Sequence, residues 1–242
     1  MGLSITVLGC DGTYAGPGGA CSGYLVEGGG TAVWLDAGPG TLANLQRHVG
    51  LADVDAVVVS HGHPDHWLEL PVFHNALKYG LGRKGFPVYA PRAVRRQADS
   101  LGSTKGTFDW RVVGDGDEAT IGGLSFRFSR TDHPVETLGV RVDGDGRSLA
   151  YSADTSDGWS LGELGPGVDL AVCEATLLAD REGTAPHLSG RQAGAMAKAA
   201  GVARLVLTHL WPTSDPDRHR AEAEAAFGGP VEVAELHRRY DA

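Results

Sequence analysis

The residues best able to do chemistry sit in Val57-Val58-Val59-Ser60-His61-Gly62-His63-Pro64-Asp65-His66-Trp67. An apolar run ends there. His61, His63, Asp65 and His66 then follow within six residues. Alternate residues of an extended chain point to one side, which groups His61 with His63. Asp65 and His66 turn into a helix and reach a second point. Imidazoles with a carboxylate, and no thiolate nearby, suit zinc; manganese and iron accept nearly the same donors.

The pattern recurs downstream. Apolar runs lead to His133 in Thr131-Asp132-His133-Pro134, to Asp154 after Ser148–Ala153, and to His209 after Arg204–Thr208. A single histidine after a strand is usually structural. Four strand ends that deliver metal-capable groups point to one shared site, and sites in layered folds gather at strand ends.

Positioning those groups requires many short elements. Apolar runs between turn signals predict strands near Ser4–Leu8, Ser22–Val26, Thr31–Leu35, Ala56–Ser60, Val88–Ala90, Leu124–Ser129, Leu138–Val142, Ser148–Ser152, Leu170–Cys173, Arg204–Thr208 and Val231–Ala234. Helical patterns fall at Leu42–Val49, Trp67–Tyr79, Ala93–Leu101, Arg191–Ala200 and Pro216–Phe227. Asp215 and Pro216 form a start signal for the last helix, and Ser189 or Gly190 for the one before it. Strands with interleaved helices predict sheets covered by helices, an α/β (α+β) layered fold. No linker or repeat breaks the chain, so one domain spanning residues 1–242 is expected.

Composition narrows the function. With 42% hydrophobic and 21% charged residues, the 242-residue chain is a folded one. Its 36 glycines follow no triplet period, which excludes collagen. A net charge of −9 argues against non-specific nucleic-acid binding, which needs a basic footprint. Three cysteines without CxxC spacing fit a reducing compartment rather than a disulfide framework. No long apolar span or signal-peptide pattern is present, so a cytoplasmic protein without a membrane partner is expected.

His61-x-His63-x-Asp65-His66, followed by His133, Asp154 and His209, resembles the metallo-β-lactamase-fold hydrolases from Ile5 to about Val233. The resemblance implies an αββα sandwich with a two-metal site at one edge of the sheets. His61, His63 and His133 would hold one ion. Asp65, His66 and His209 would hold the other, and Asp154 would bridge them. Zinc is the expected metal, with manganese or iron as substitutes. Aspartate rather than cysteine at the bridge argues against a β-lactamase of the best-known zinc type.

Cys173-Glu174-Ala175-Thr176, His187-Leu188-Ser189-Gly190 and Leu207-Thr208-His209 resemble the tRNA 3′-processing endonuclease (tRNase Z) branch. There the histidine corresponding to His187 is catalytic. Adding Thr6–Cys10, Ser22–Leu25, Leu45–His48 and His133-Pro134, the chain is closer still to bacterial atypical class II-like cyclic-nucleotide phosphodiesterases. His133 and Asp154 are 21 positions apart, room for a hairpin but not for a tRNA-gripping arm.

The expected substrate is therefore a small phosphodiester such as a cyclic nucleotide, with tRNA set aside. The implied mechanism is attack on phosphorus by hydroxide held between the metals. Asp65 orients it and accepts its proton, and His187 assists the leaving group. An RNA endonuclease, a carbon-ester or lactone hydrolase and a biosynthetic enzyme on the same scaffold are the alternatives. Glu174, Asp36 and Asp132 are candidate supports for the ligand histidines. A homodimer is expected only because dimers are common.

Overall fold

The computed structural model describes residues 2–242. The strands are β1 (Ser4–Gly9), β2 (Gly23–Gly28), β3 (Thr31–Ala37), β4 (Ala56–Val58), β5 (Phe86–Ala90), β6 (Phe108–Val112), β7 (Glu118–Ile121), β8 (Leu124–Arg130), β9 (Leu138–Gly144), β10 (Arg147–Tyr151), β11 (Leu170–Glu174), β12 (Arg204–Thr208), β13 (Val231–Val233) and β14 (Arg239–Asp241). The α-helices are α1 (Thr41–Leu45), α2 (Pro64–Trp67), α3 (Leu70–Asn75), α4 (Arg92–Leu101), α5 (Gly190–Ala199) and α6 (Pro216–Phe227).

Two seven-stranded sheets face each other, ordered β14-β1-β2-β3-β4-β5-β6 and β13-β12-β11-β10-β9-β8-β7. In each, an antiparallel part passes into a parallel part, β3 to β6 and β10 to β13. Strand alternation builds the layers. Tyr24, Val26, Val33, Leu35 and Val58 meet Phe126, Val140, Leu149 and Val172 between the sheets. Leu25, Trp34 and Val57 point the other way, under Phe73 and Val94 of α3 and α4. Ala171, Cys173 and Leu205 lie under Ala193, Ala197 and Ala223 of α5 and α6. The layers are therefore helix, sheet, sheet, helix, as the resemblance implied. No described helix is long and apolar enough to cross a membrane.

Both start signals for the C-terminal helices operate. Ser189 and Gln192 form a reciprocal capping box on α5. The Asp215 carboxylate accepts the Asp217 N–H, with Pro216 in the first turn of α6.

Other expectations need correction. The helix expected at Trp67–Tyr79 is broken into α2, α3 and a π-helical turn at Ala76–Leu81. Between α2 and α3, the Glu69 N–H is diverted to the Ala37 carbonyl, and Pro71 has no N–H to continue the ladder. Helix α1 stops at Leu45 rather than at Val49. Strands β6, β7 and β14 were not expected; β6 and β7 are largely solvent-facing and lack an apolar run.

Candidate metal centre

The seven candidate ligands come from both sheets and converge at one end of the seam. His61, His63, Asp65 and His66 follow β4 and enter α2. His133 follows β8, Asp154 follows β10 and His209 follows β12.

Backbone strain marks these exits. Ala153, immediately before Asp154, has φ +52°, and His209 has φ +60°. Such left-handed conformations are costly for residues other than glycine and persist where the surroundings fix them. Asp36 has φ +57° and is the extra residue of a bulge in β3, since Tyr24 pairs with Leu35 and Gly23 with Ala37. The bulge turns its carboxylate inward. Gly38 is required for close approach: a Cβ there would lie 2.0 Å from the Asp65 carbonyl oxygen.

The donor atoms form two groups. In one, His61, His63, His133 and Asp154 place ligand atoms within 4.8 Å of one another. In the other, Asp65, His66 and His209 do the same. Asp154 faces both. Its Oδ2 lies 3.5 Å from His61 Nε2 and 3.9 Å from His133 Nε2. Its Oδ1 lies 3.3 Å from His66 Nε2 and 3.4 Å from His209 Nε2. Asp65 Oδ2 is 3.3 Å from His209 Nε2.

Hydrogen bonds behind the rings fix which nitrogen faces inward. His66 Nδ1 donates to Asp36 Oδ2 at 2.8 Å, and His133 Nδ1 to the Pro186 carbonyl at 3.1 Å. Those oxygens can only accept, so each Nε2 turns a lone pair into the site. Ser60 Oγ donates to Asp36 Oδ2, leaving it to accept from His61 Nδ1 at 3.0 Å. Thr176 Oγ1 donates to Glu174 Oε2 and accepts from His209 Nδ1 at 2.8 Å. His63 differs, presenting Nδ1 toward His133 Nε2 at 3.2 Å.

Electrostatics agree with a cation site. Burial, then the neighbouring His66, push the His61 imidazole well below its ordinary value and keep it neutral. Burial opposes ionisation of Asp154, but His209, His66 and His61 hold its carboxyl well below the usual range. Burial works against charge on His66 too; Asp154 and Asp36 override it and raise its pKa. His61 Nε2 and Asp154 Oδ1 are buried without a hydrogen-bond partner among the described residues. Buried polar atoms are normally paired. Donors of this type, aimed at common points and left unpaired, fit divalent cations.

His187 stands beside the ligands. Its ring stacks on His209, with centroids 5.4 Å apart and planes at 28°. Its Nδ1 donates to Glu174 Oε1 at 2.9 Å. Burial alone would lower its pKa, but the Glu174 carboxylate overrides this and raises it to about 9.

Of the expected supports, Asp36 and Glu174 sit behind ligands and behind His187. Asp132 does not; its carboxylate accepts the Gly158 N–H and shapes the loop after Asp154. Trp67 and Phe73 are core residues, while Tyr79 is exposed.

Sequence reasoning passed over Ser60, Thr176 and Tyr151. Ser60 and Thr176 lie beside motif residues, and their hydroxyls were the available signal. Tyr151 carried none. It lies on β10 of the second sheet and donates to Asp36 Oδ2 on the first at 2.9 Å. It thereby ties the carboxylate behind His66 to the strand leading to Asp154. Tyr151→Phe is expected to keep the packing but weaken metal affinity by about tenfold, the low end for loss of a group that orients ligands. Competition against a chromogenic chelator measures this. Unchanged affinity would show that the bond plays no part in ligand placement.

A family model described as the beta-lactamase superfamily domain matches residues 31–210. The chain belongs to that superfamily, in its metal-dependent metallo-β-lactamase-fold form. Within it the chain falls in the tRNase Z-like branch. It is 32% identical to the probable metallo-hydrolase YhfI of Bacillus subtilis over 96% of this chain and 97% of YhfI. The YhfI crystal structure superposes with a TM-score of 0.92 over 100% of both chains. An uncharacterized Mycobacterium tuberculosis protein, Rv1339, is 37% identical, covering 96% of this chain and 89% of its own. A Mycobacterium bovis Ribonuclease Z is 30% identical over 98% of this chain and 97% of its own. The chain is thus a metallo-hydrolase with a His/Asp metal site.

Proposed function

We propose that this chain is a dinuclear metallo-phosphodiesterase acting on a small phosphodiester such as a cyclic nucleotide. The observation that carries this reading is the His187–Glu174 pair standing beside, rather than within, a complete set of seven donors. His61, His63 and His133 would hold one ion, Asp65, His66 and His209 the other, with one Asp154 oxygen toward each. Zinc fits these donors, as do manganese and iron. When bound, the two cations would polarise the phosphoryl group and supply a water-derived nucleophile at neutral pH.

The protein's own groups do the rest. Asp65 keeps an ionised carboxylate at the site, with Oδ2 fixed by the Thr13 N–H at 2.9 Å. It orients the attacking water and takes up its proton. Glu174 holds His187 by Nδ1, so that Nε2 is the atom left to protonate the departing alkoxide. The ring stack on buried His209 keeps that imidazole from rotating away.

The Ribonuclease Z relatives support an RNA endonuclease as the second reading. Two features weigh against it. The chain between His133 and Asp154 is filled by the β9–β10 hairpin, and the net charge is −9. Precursor tRNA cleavage would decide in its favour.

The test of the first reading is turnover of bis(p-nitrophenyl) phosphate and cyclic AMP by the metal-loaded protein, with His61→Ala as control. Both are expected to be hydrolysed by the parent and neither by the variant. A chain with two bound ions that cleaves neither would shift the reading to carbon esters or a biosynthetic substrate.

A further inference from the structure

A cavity of 470 Å³ opens beside His187. That is within the usual range for small-ligand sites. His187 is common to its wall and to the metal centre, where it lies with Asp154 and His209. The cavity thus adjoins the metal centre across His187, on the side open to a substituent of a phosphodiester held there.

The rest of the wall is acidic and polar. It carries the Asp157 carboxylate, the hydroxyls of Ser156 and Thr184, and the Gln192 carboxamide. Gln192 is fixed at both ends. Its Oε1 accepts the Ser189 N–H at 3.0 Å, and its Nε2 donates to Asp157 Oδ2 at 3.2 Å. The α5 cap thus holds one oxygen of Asp157, and the other takes no protein hydrogen bond among the described residues. The cation on the same helical turn, Arg191, is engaged by Glu182, Nε to Oε1 2.9 Å. Away from His187, a second phosphate entering here would meet a carboxylate and no free cation. A neutral group with hydroxyl donors would meet acceptors.

We propose that this cavity is the subsite for the uncharged sugar of the substrate, with Asp157 accepting a hydrogen bond from a ribose hydroxyl. The assignment rests on the phosphodiesterase reading. It specifies a substrate with a proton-accepting phosphoryl end at His187 and a proton-donating sugar end at Asp157. It excludes substrates that carry further phosphates on that side.

The experiment compares cyclic AMP with its 2′-deoxy analogue on the metal-loaded protein, as kcat/KM ratios. It also compares the binding of AMP and 2′-deoxy-AMP by calorimetry. The parent is expected to favour the ribose form by about tenfold in both, the scale of one hydrogen bond to a charged group in an open site. Asp157→Ala should bring both ratios close to one. Asp157→Asn, which keeps an acceptor oxygen, should fall between. A parent indifferent to the 2′-hydroxyl, or an Asp157→Ala variant that keeps the full preference, overturns the assignment. A chain that cleaves bis(p-nitrophenyl) phosphate yet ignores the hydroxyl keeps its phosphodiesterase reading and loses this one. A chain that cleaves no phosphodiester loses both.

Discussion

Asp154→Ala is expected to reduce bound metal from two ions per chain to one or fewer, and to lower turnover by about three decades or more. Metal-based charge stabilisation is worth several kcal/mol, and each ~1.4 kcal/mol is tenfold in rate. The cause is local. Asp154 is the only described carboxylate whose two oxygens face the two histidine groups separately, Oδ2 toward His61 and His133, Oδ1 toward His66 and His209. Alanine leaves His61 and His133 converging on a space with no anion, and leaves His66 and His209 with Asp65 alone. Elemental analysis after gel filtration reads the metal, and circular dichroism verifies the fold. A second measurement separates ligand loss from general damage. An ion that binds only the native state stabilises it. Chelation should therefore lower the melting temperature of the parent by more than that of Asp154→Ala. Two tightly held ions in the variant would remove Asp154 from its assigned place.

His187→Ala is expected to behave differently. Turnover of cyclic AMP should fall about 100- to 10,000-fold, the usual worth of a positioned proton donor, while metal content stays at the parental level. His187 lies close enough to Asp154 and His209 to be mistaken for a ligand. Its Nδ1 is committed to Glu174, and its ring lies flat against that of His209. The substrate distinguishes the roles. Cyclic AMP expels an alkoxide, which needs a proton to depart. Bis(p-nitrophenyl) phosphate expels a stabilised phenolate, which does not. A proton donor predicts a much larger defect on cyclic AMP than on the aryl diester. Equal defects on both, or loss of an ion, would refute the role.

Much of the site was legible because its signals are local. The His61-x-His63 alternation, the turn that brings in Asp65 and His66, and apolar strands ending at His133, Asp154 and His209 are all readable along the chain. What supports them was legible only in part. Asp36 and Glu174 could be named as candidates beside Asp132, but nothing local ranks a bulged strand residue above a loop carboxylate. The Tyr151 hydroxyl reaches Asp36 across 115 residues and between two sheets. No periodicity encodes that. The missed strands have a related cause. In β6, only Phe108 of Phe-Asp-Trp-Arg-Val is fully buried, so pairing with β5 defines the strand more than hydrophobicity does. The break between α2 and α3 turns on an N–H captured by Ala37, again a partner distant in sequence.

The placement of ligands on both sheets also constrains how the molecule can be made. A ribosome delivers His61 to His66 early, but His209 lies 143 residues after His66. The first sheet is itself unfinished until β14 arrives, since Ser4 pairs with Asp241. No nascent stretch ending before β12 holds a complete second set of donors. A full second set of donors therefore exists only once β12 and the turn after it are in place. Contacts so distant in sequence also slow folding.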